Sequence, residues 1–168
     1  DKVAYDPKAS YNAKIIRQIL AKEQPITESY LCKRVAKLLG FGHAGANIQK
    51  AVSIATAQCY RDPLSFGDNI NLWLDEESAI NYSIYRSPSP RTITEIPVRE
   101  VINAVAEVIA EEFSLPKDKV PTITARKLGF SSAGAKIAET INTILDMMLA
   151  NNIIRDVNGL VSMNEPQQ

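Results

Sequence analysis

Between residues 43 and 53 the sequence places His43, Asn47, Gln49, Lys50 and Ser53 around the apolar positions Ile48 and Val52. Amide, hydroxyl and ammonium groups in that mix exchange hydrogen bonds with base edges and phosphates rather than carry out covalent chemistry. Lys50 is the one lysine or arginine among them, so the same residues equally describe an ordinary solvated helix face. Arg34 and Lys37, with Lys14, Arg17, Lys22 and Lys33, extend a basic surface upstream. Charge runs are by default solvated faces, so this surface is a candidate interface only in combination with the polar set.

Chemistry of other kinds finds little support. His43 is the only histidine, and Cys32 and Cys59 lack a Cys-x-x-Cys partner, which makes a zinc cluster implausible and two reduced thiols the simple reading. Glu111-Glu112 is an adjacent pair that diverges on a helix. The glycines of Ala44-Gly45-Ala46 and Ala133-Gly134-Ala135 do not have the spacing of a phosphate-binding loop, so close helix packing is the better account. No catalytic residue, cofactor or metal is expected. The net charge is zero with a pI near 6.8, against a general polyanion binder. Its distribution is uneven: residues 1–74 carry ten Lys/Arg and six Asp/Glu, whereas residues 95–163 carry seven and nine.

The elements that must position these groups are written twice. Leu39-Gly40-Phe41-Gly42-His43-Ala44-Gly45-Ala46-Asn47-Ile48 reappears 89 positions later as Leu128-Gly129-Phe130-Ser131-Ser132-Ala133-Gly134-Ala135-Lys136-Ile137, the pattern L-G-F-x-x-A-G-A-x-I. In the first copy, helical periodicity from Tyr11 sets Ile15, Ile16, Ile19 and Leu20 on one stripe until Gln24-Pro25. Thr27 is the expected N-cap of a second helix, Gly40 its terminator, and a third helix is expected from about His43 to Tyr60, stopped by Arg61-Asp62-Pro63. Gly67-Asp68-Asn69 then joins two short strands, with Trp73 expected in the core or at the hairpin base.

The second copy repeats the plan. Its first helix follows Pro97, its second is split by Pro121 and ends at Leu128, and Ser131 or Ser132 is the expected N-cap of the third. Asn158-Gly159 is a strong hairpin turn. Here the third-helix face holds Lys136, Glu139, Asn142, Thr143 and Asp146, and its two acids disfavour groove insertion. The reading is a mainly α chain with small β-hairpins (α+β), built as tandem duplicated winged-helix, helix-turn-helix-like units. Residues 1–10 are a lead-in, 11–74 the first unit, 75–94 a linker containing Ser87-Pro88-Ser89-Pro90, 95–164 the second unit and 165–168 a tail.

Pro25-Ile26, Leu31, Arg34-Val35, Gly40, Ala44-Gly45 and Ile48, followed by Glu95-Ile96, Leu128-Gly129-Phe130, Gly134 and Ile137, resemble a domain of unknown function. That domain occurs near the C-terminus of large bacterial proteins related to superfamily 1 DNA helicases, often beside a restriction-endonuclease-like fold. A basic residue often precedes the A/T-G pair there; the corresponding positions here are His43 and Ser132. The family has no assigned catalytic residues. The resemblance implies a cytoplasmic, non-enzymatic accessory module of an ATP-driven nucleic-acid machine. Its expected partners are DNA and the remaining domains of the parent protein, with no membrane. The expected nucleic-acid residues are Arg34, Lys37, His43, Asn47, Gln49, Lys50 and Ser53. Docking onto the parent ATPase or nuclease domains, or dimerisation, is the alternative. The start at Asp1-Lys2 without methionine suggests a segment of a longer polypeptide.

Overall fold

The computed structural model describes residues 7–165. Residues 1–6 of the expected lead-in and 166–168 of the expected tail lie outside the described residues. The chain is mixed α/β, with two small three-stranded antiparallel sheets. Its contacts divide it into two units at Tyr82/Ser83.

In the first unit, α1 (Pro7–Glu23), β1 (Ile26–Thr27), α2 (Glu28–Leu38) and α3 (Ala46–Ala55) precede a hairpin of β2 (Tyr60–Phe66) and β3 (Asn69–Trp73). A short helix, α4 (Glu76–Ile80), follows. The helix begins at Pro7 rather than Tyr11, because proline lacks only a donor that the first turn leaves unused anyway. β3 is the central strand, in the order β1-β3-β2. β1 is too short for periodicity to reveal; it is defined by its pairing, Ile26 with Leu72. Ile16, Leu20, Ile26, Leu31, Val35, Val52 and Leu72 form one buried cluster.

Two boundaries differ from expectation. α3 spans ten residues, Ala46–Ala55 with Gly45 as its N-cap, rather than about His43 to Tyr60. Arg61-Asp62-Pro63 lies within β2 instead of stopping a helix. Asp62 is buried there, and its carboxylate accepts from the Leu64 amide at 3.0 Å and from Trp73 Nε1 at 3.1 Å. The hydrogen-bond demand of a buried carboxylate is thus met by strand and indole.

The second unit contains α5 (Val98–Glu112), β4 (Leu115–Pro116), a 3-10 turn at Lys117–Lys119, α6 (Val120–Lys127), α7 (Ala135–Ala150), β5 (Ile154–Val157) and β6 (Leu160–Met163). The split of the helix near Pro121 appears as that 3-10 turn followed by α6, with Pro121 in the first turn. Gly134 caps α7, displacing Ser131 and Ser132 from that role. Asn158 and Gly159 both take positive φ, as a two-residue hairpin turn requires. The strand order is β4-β6-β5, and Leu115 pairs with Val161, each 89 positions beyond Ile26 and Leu72.

Residues 75–94 do not form a separate stretch. Ala79 and Trp73 are buried in the first unit, where Tyr82 meets the Trp73 ring edge-on at 5.0 Å. Beyond Ser83 the chain runs along α5. Asn103 Nδ2 donates to the Ile84 carbonyl at 2.9 Å, and Tyr85 hydrogen-bonds Glu107. Arg86 and Arg91 both converge on the buried Glu100. Pairing of flanking arginines to one carboxylate, which composition does not reveal, fixes this strap.

The repeated turn has the same backbone in both units. Phe41 N donates to Ala36 O at 2.8 Å and Phe130 N to Ala125 O at 2.9 Å, while Gly40 and Gly129 sit at φ +83° and +96°. Their surroundings differ. A Cβ on Gly129 would stand 3.0 Å from Pro88 Cα, whereas one on Gly40 would meet nothing within 4 Å. Gly40→Ala is expected to cost about 1–2 kcal/mol through φ alone. Gly129→Ala should cost at least about 1 kcal/mol more through overpacking against the strap. Equal melting shifts for the two variants, measured by calorimetry, would contradict this difference.

Candidate nucleic-acid interface

Leu39 and Gly40 end α2, and the Phe41–Ala44 turn delivers the chain to the Gly45 cap of α3. Gln49 N donates to Gly45 O at 3.1 Å, the first intrahelical bond of α3. The amides of Ala46, Asn47 and Ile48 precede it and have no carbonyl in the preceding turn to bond, which is the general condition of a helix start. No acidic residue occupies the first turn, so the positive end of the helix dipole is not neutralised locally.

The turn separates two clefts. One, of about 830 Å³, is bounded by Lys33 and Lys37 of α2, His43, Gln49 and the hairpin residues Asp68 and Asn69. The Ser29 amide donates to Asn69 Oδ1 at 3.2 Å and holds the hairpin tip beside α2. The other, of about 620 Å³, lies between α1 and the start of α3 and includes Asn12, Leu39, His43 and Asn47. His43 and Phe41 border both, and Phe41 is 59% exposed.

The expected set therefore divides. Lys37, His43 and Gln49 come together in the first cleft, and His43 and Asn47 in the second. Gln49 is partly engaged, since its side-chain amide donates to Ala44 O at 3.1 Å. Lys50 and Ser53 are exposed on α3 but line neither cleft. Arg34 stands apart, paired with Glu23 at 3.1 Å, and the hydrogen bond to Glu23 raises its pKa further. Lys33 and Asn69 enter the cleft wall; Lys33 belongs to the basic run of the sequence, whereas nothing before the fold indicates Asn69.

Other groups are accounted for structurally. Trp73 is buried, in keeping with the expected core or hairpin-base position. Burial, with Glu28 nearby, pushes the Cys32 thiol up to about 11, so it stays protonated and unreactive at neutral pH. Among the described residues no cluster of three or more His, Cys, Asp or Glu has metal-binding proximity, and no helix is long and apolar enough to cross a membrane. On α7, Lys136, Glu139, Asn142, Thr143 and Asp146 are all exposed, and Asp146 lies 3.4 Å from Lys117.

Residues 10–50 match a family described as a protein of unknown function (DUF3320). The match supports a domain of unknown function across α1, β1, α2 and the turn into α3. It therefore includes both the repeated motif of the first unit and six of the seven candidate residues, all but Ser53. No curated protein and no solved structure matches the chain.

Proposed function

We propose that the chain is a tandem duplicated pair of winged helices, a non-catalytic accessory module of a bacterial helicase-like protein, whose first unit engages DNA. The order helix, strand, helix, helix, hairpin, with the hairpin's second strand central in the sheet, is that of a winged helix and supports the reading. The 89-residue offset, common to the motif, the turn geometry and the β1–β3 and β4–β6 registers, supports duplication. One observation carries the DNA reading. The exposed start of α3 presents Asn47 and Lys50 with no acid in its first turn, beside a cleft lined by Lys33, Lys37 and His43 together with Asp68 and with Glu28, the last paired with Arg61 at 2.8 Å. In such a geometry helix amides and lysines take phosphates, while Asn47 and Lys50 can reach base edges.

Fluorescence anisotropy with a labelled DNA duplex, in low and moderate salt, tests it. Lys37→Glu and Lys50→Glu should each weaken binding and each lower the salt slope by about 1 if the lysine meets a phosphate. Absence of binding at low salt, or binding indifferent to both changes, sinks the reading. A protein-interaction role is the second reading, favoured by the exposed Leu38, Phe41 and Ile54 on the first unit. A concentration-dependent dimer in sedimentation, without DNA binding, would replace the first reading with the second.

A further inference from the structure

The first cleft carries little net charge. Lys33 and Lys37 line it together with Asp68, and Glu28 is already paired with Arg61 at 2.8 Å. Two lysines offset by one free-standing carboxyl residue leave a small positive surplus, so phosphate contacts alone draw limited affinity from it. What the cleft has in addition is an aromatic ring.

Phe41 opens the turn between α2 and α3, lines the cleft and is 59% exposed. The walls around it come from residues 28–69, all of them among the described residues. The turn beneath the ring is tied at both ends. Phe41 N donates to Ala36 O at 2.8 Å, and Gln49 Nε2 donates to Ala44 O at 3.1 Å. A ring carried on a fixed turn loses little freedom when a flat partner lies on it. His43, exposed two residues further on, borders the same cleft and offers a second flat face.

Base-paired DNA keeps its base faces stacked on one another. An unpaired base has a free π-face, and its stacking on an aromatic side chain tolerates any sequence. We propose that Phe41 stacks on an unpaired base, so that the first unit binds DNA where a single strand leaves a duplex. The start of α3, with Asn47 and Lys50, is the duplex side of this contact. The cleft with Phe41, Lys33 and Lys37 is its single-stranded side. The inference rests on the DNA reading above and deepens it by naming the form of DNA.

The test uses the whole chain and three fluorescein-labelled DNAs. One is a blunt duplex, and one is the same duplex with a single-stranded extension, made in both polarities. The third is the extended duplex with abasic sites in place of its unpaired bases. Anisotropy at one salt concentration should show about tenfold tighter binding of the extended than of the blunt duplex, in at least one polarity. The abasic DNA keeps the phosphates of the extension and should lose most of that gain. Phe41→Ala should lose the gain and keep blunt-duplex affinity, whereas Phe41→Trp should retain both. Circular dichroism verifies that the variants fold; should Phe41→Ala fail to, the abasic DNA with the unaltered chain decides. Equal binding of blunt and extended duplexes overturns the inference and leaves the DNA reading standing. So does a gain that survives in the abasic DNA, or a Phe41→Ala chain that binds blunt and extended duplexes equally weakly. A dimer that Phe41→Ala dissolves, with DNA affinities unchanged, assigns the ring to protein contact and also overturns it. Failure of all three DNAs to bind removes the DNA reading itself, and the inference with it.

Discussion

Glu100→Gln is expected to destabilise the second unit by about 3–5 kcal/mol, the cost of removing one partner from a buried ionic cluster. The carboxylate is fully buried and accepts from both arginines: Arg86 Nη2 at 2.8 Å, Arg91 Nη1 at 2.5 Å and Arg91 Nη2 at 3.0 Å. The Arg86 backbone amide adds a further bond at 2.9 Å. Glutamine keeps the volume but has one acceptor oxygen and no charge, leaving the buried Arg91 guanidinium without its counterion. Burial on its own would raise the Glu100 pKa. The bonds and charges of Arg86 and Arg91 outweigh burial and hold it below the ordinary carboxylate value. A carboxyl whose folded pKa is depressed contributes stability that is present above its unfolded pKa and is lost as pH falls through the folded one. The gap between wild type and Glu100→Gln should therefore be full at pH 7 and close as the solution is acidified below the ordinary glutamate range of about 4.3. Urea unfolding separates the units, because Trp73 is the only tryptophan and reports the first. Circular dichroism should show an early loss that Trp73 fluorescence does not follow. Coincident unfolding of wild type and variant at pH 7 would remove the cluster from the account.

That cluster also marks a limit of sequence reading. Arg86 and Arg91 flank Ser-Pro-Ser-Pro, and by composition such a segment is a solvated linker. What overrides composition is a carboxylate nine residues beyond Arg91, on a helix face that otherwise reads as core. Glu100 falls among Val98, Val101, Ala104 and Val105, and periodicity alone cannot say that one charged position turns inward. The helices, hairpins and turn glycines were legible because each has a local physical signature: a 3.6-residue stripe, an Asn-Gly pair, a glycine after the last apolar position. β1 and β4 were not, since two-residue strands have no period and exist only through their partners on β3 and β6.

The same distinction holds at the candidate interface. Lysine and amide residue types indicated Lys37, Asn47, Gln49 and Lys50, and helical spacing placed the last three on α3. Sequence could not indicate that Arg34 is tied to Glu23, eleven residues away on another helix, or that Gln49 turns back to Ala44. Thr27 caps α2 as its residue type indicates, but the cap of α7 differs for a related reason. Serine at 131 and 132 has the better capping chemistry, yet Gly134 starts α7 because the Phe130 amide is bonded back to α6, and the chain needs the intervening residues to clear that turn. The glycine in Ala-Gly-Ala is therefore a helix start in both units, at ψ 177° and 175°, an extended conformation open to any residue. A Cβ there would meet nothing within 4 Å in either unit, so neither backbone strain nor the expected close helix packing accounts for the glycine.

Trp73→Ala should be the costliest change in the first unit, about 3–5 kcal/mol. Trp73 ends the central strand, pairs with Tyr60 on β2, takes the edge of Tyr82, and donates its indole N–H to Asp62. Truncation leaves a cavity and withdraws a donor from a buried carboxylate. Trp73→Phe separates the two effects. It retains most of the ring volume and loses the Nε1 donor, so it should cost about 1–3 kcal/mol, the penalty for a buried polar group that loses a hydrogen bond. The consequence extends to the candidate interface. Asp62 and Trp73 lock β2 to β3, and the tip of that hairpin carries Asp68 and Asn69 to the wall of the lysine-lined cleft. Under the proposed DNA contact, a hairpin released by Trp73→Ala should weaken binding with every candidate residue still present, whereas Trp73→Phe should leave affinity near wild type. Chemical denaturation gives the two stabilities, and anisotropy with the DNA duplex gives the two affinities. If Trp73→Phe costs as much as Trp73→Ala, the indole hydrogen bond rather than packing governs the hairpin. If Trp73→Ala binds DNA as wild type does, the hairpin does not position the interface.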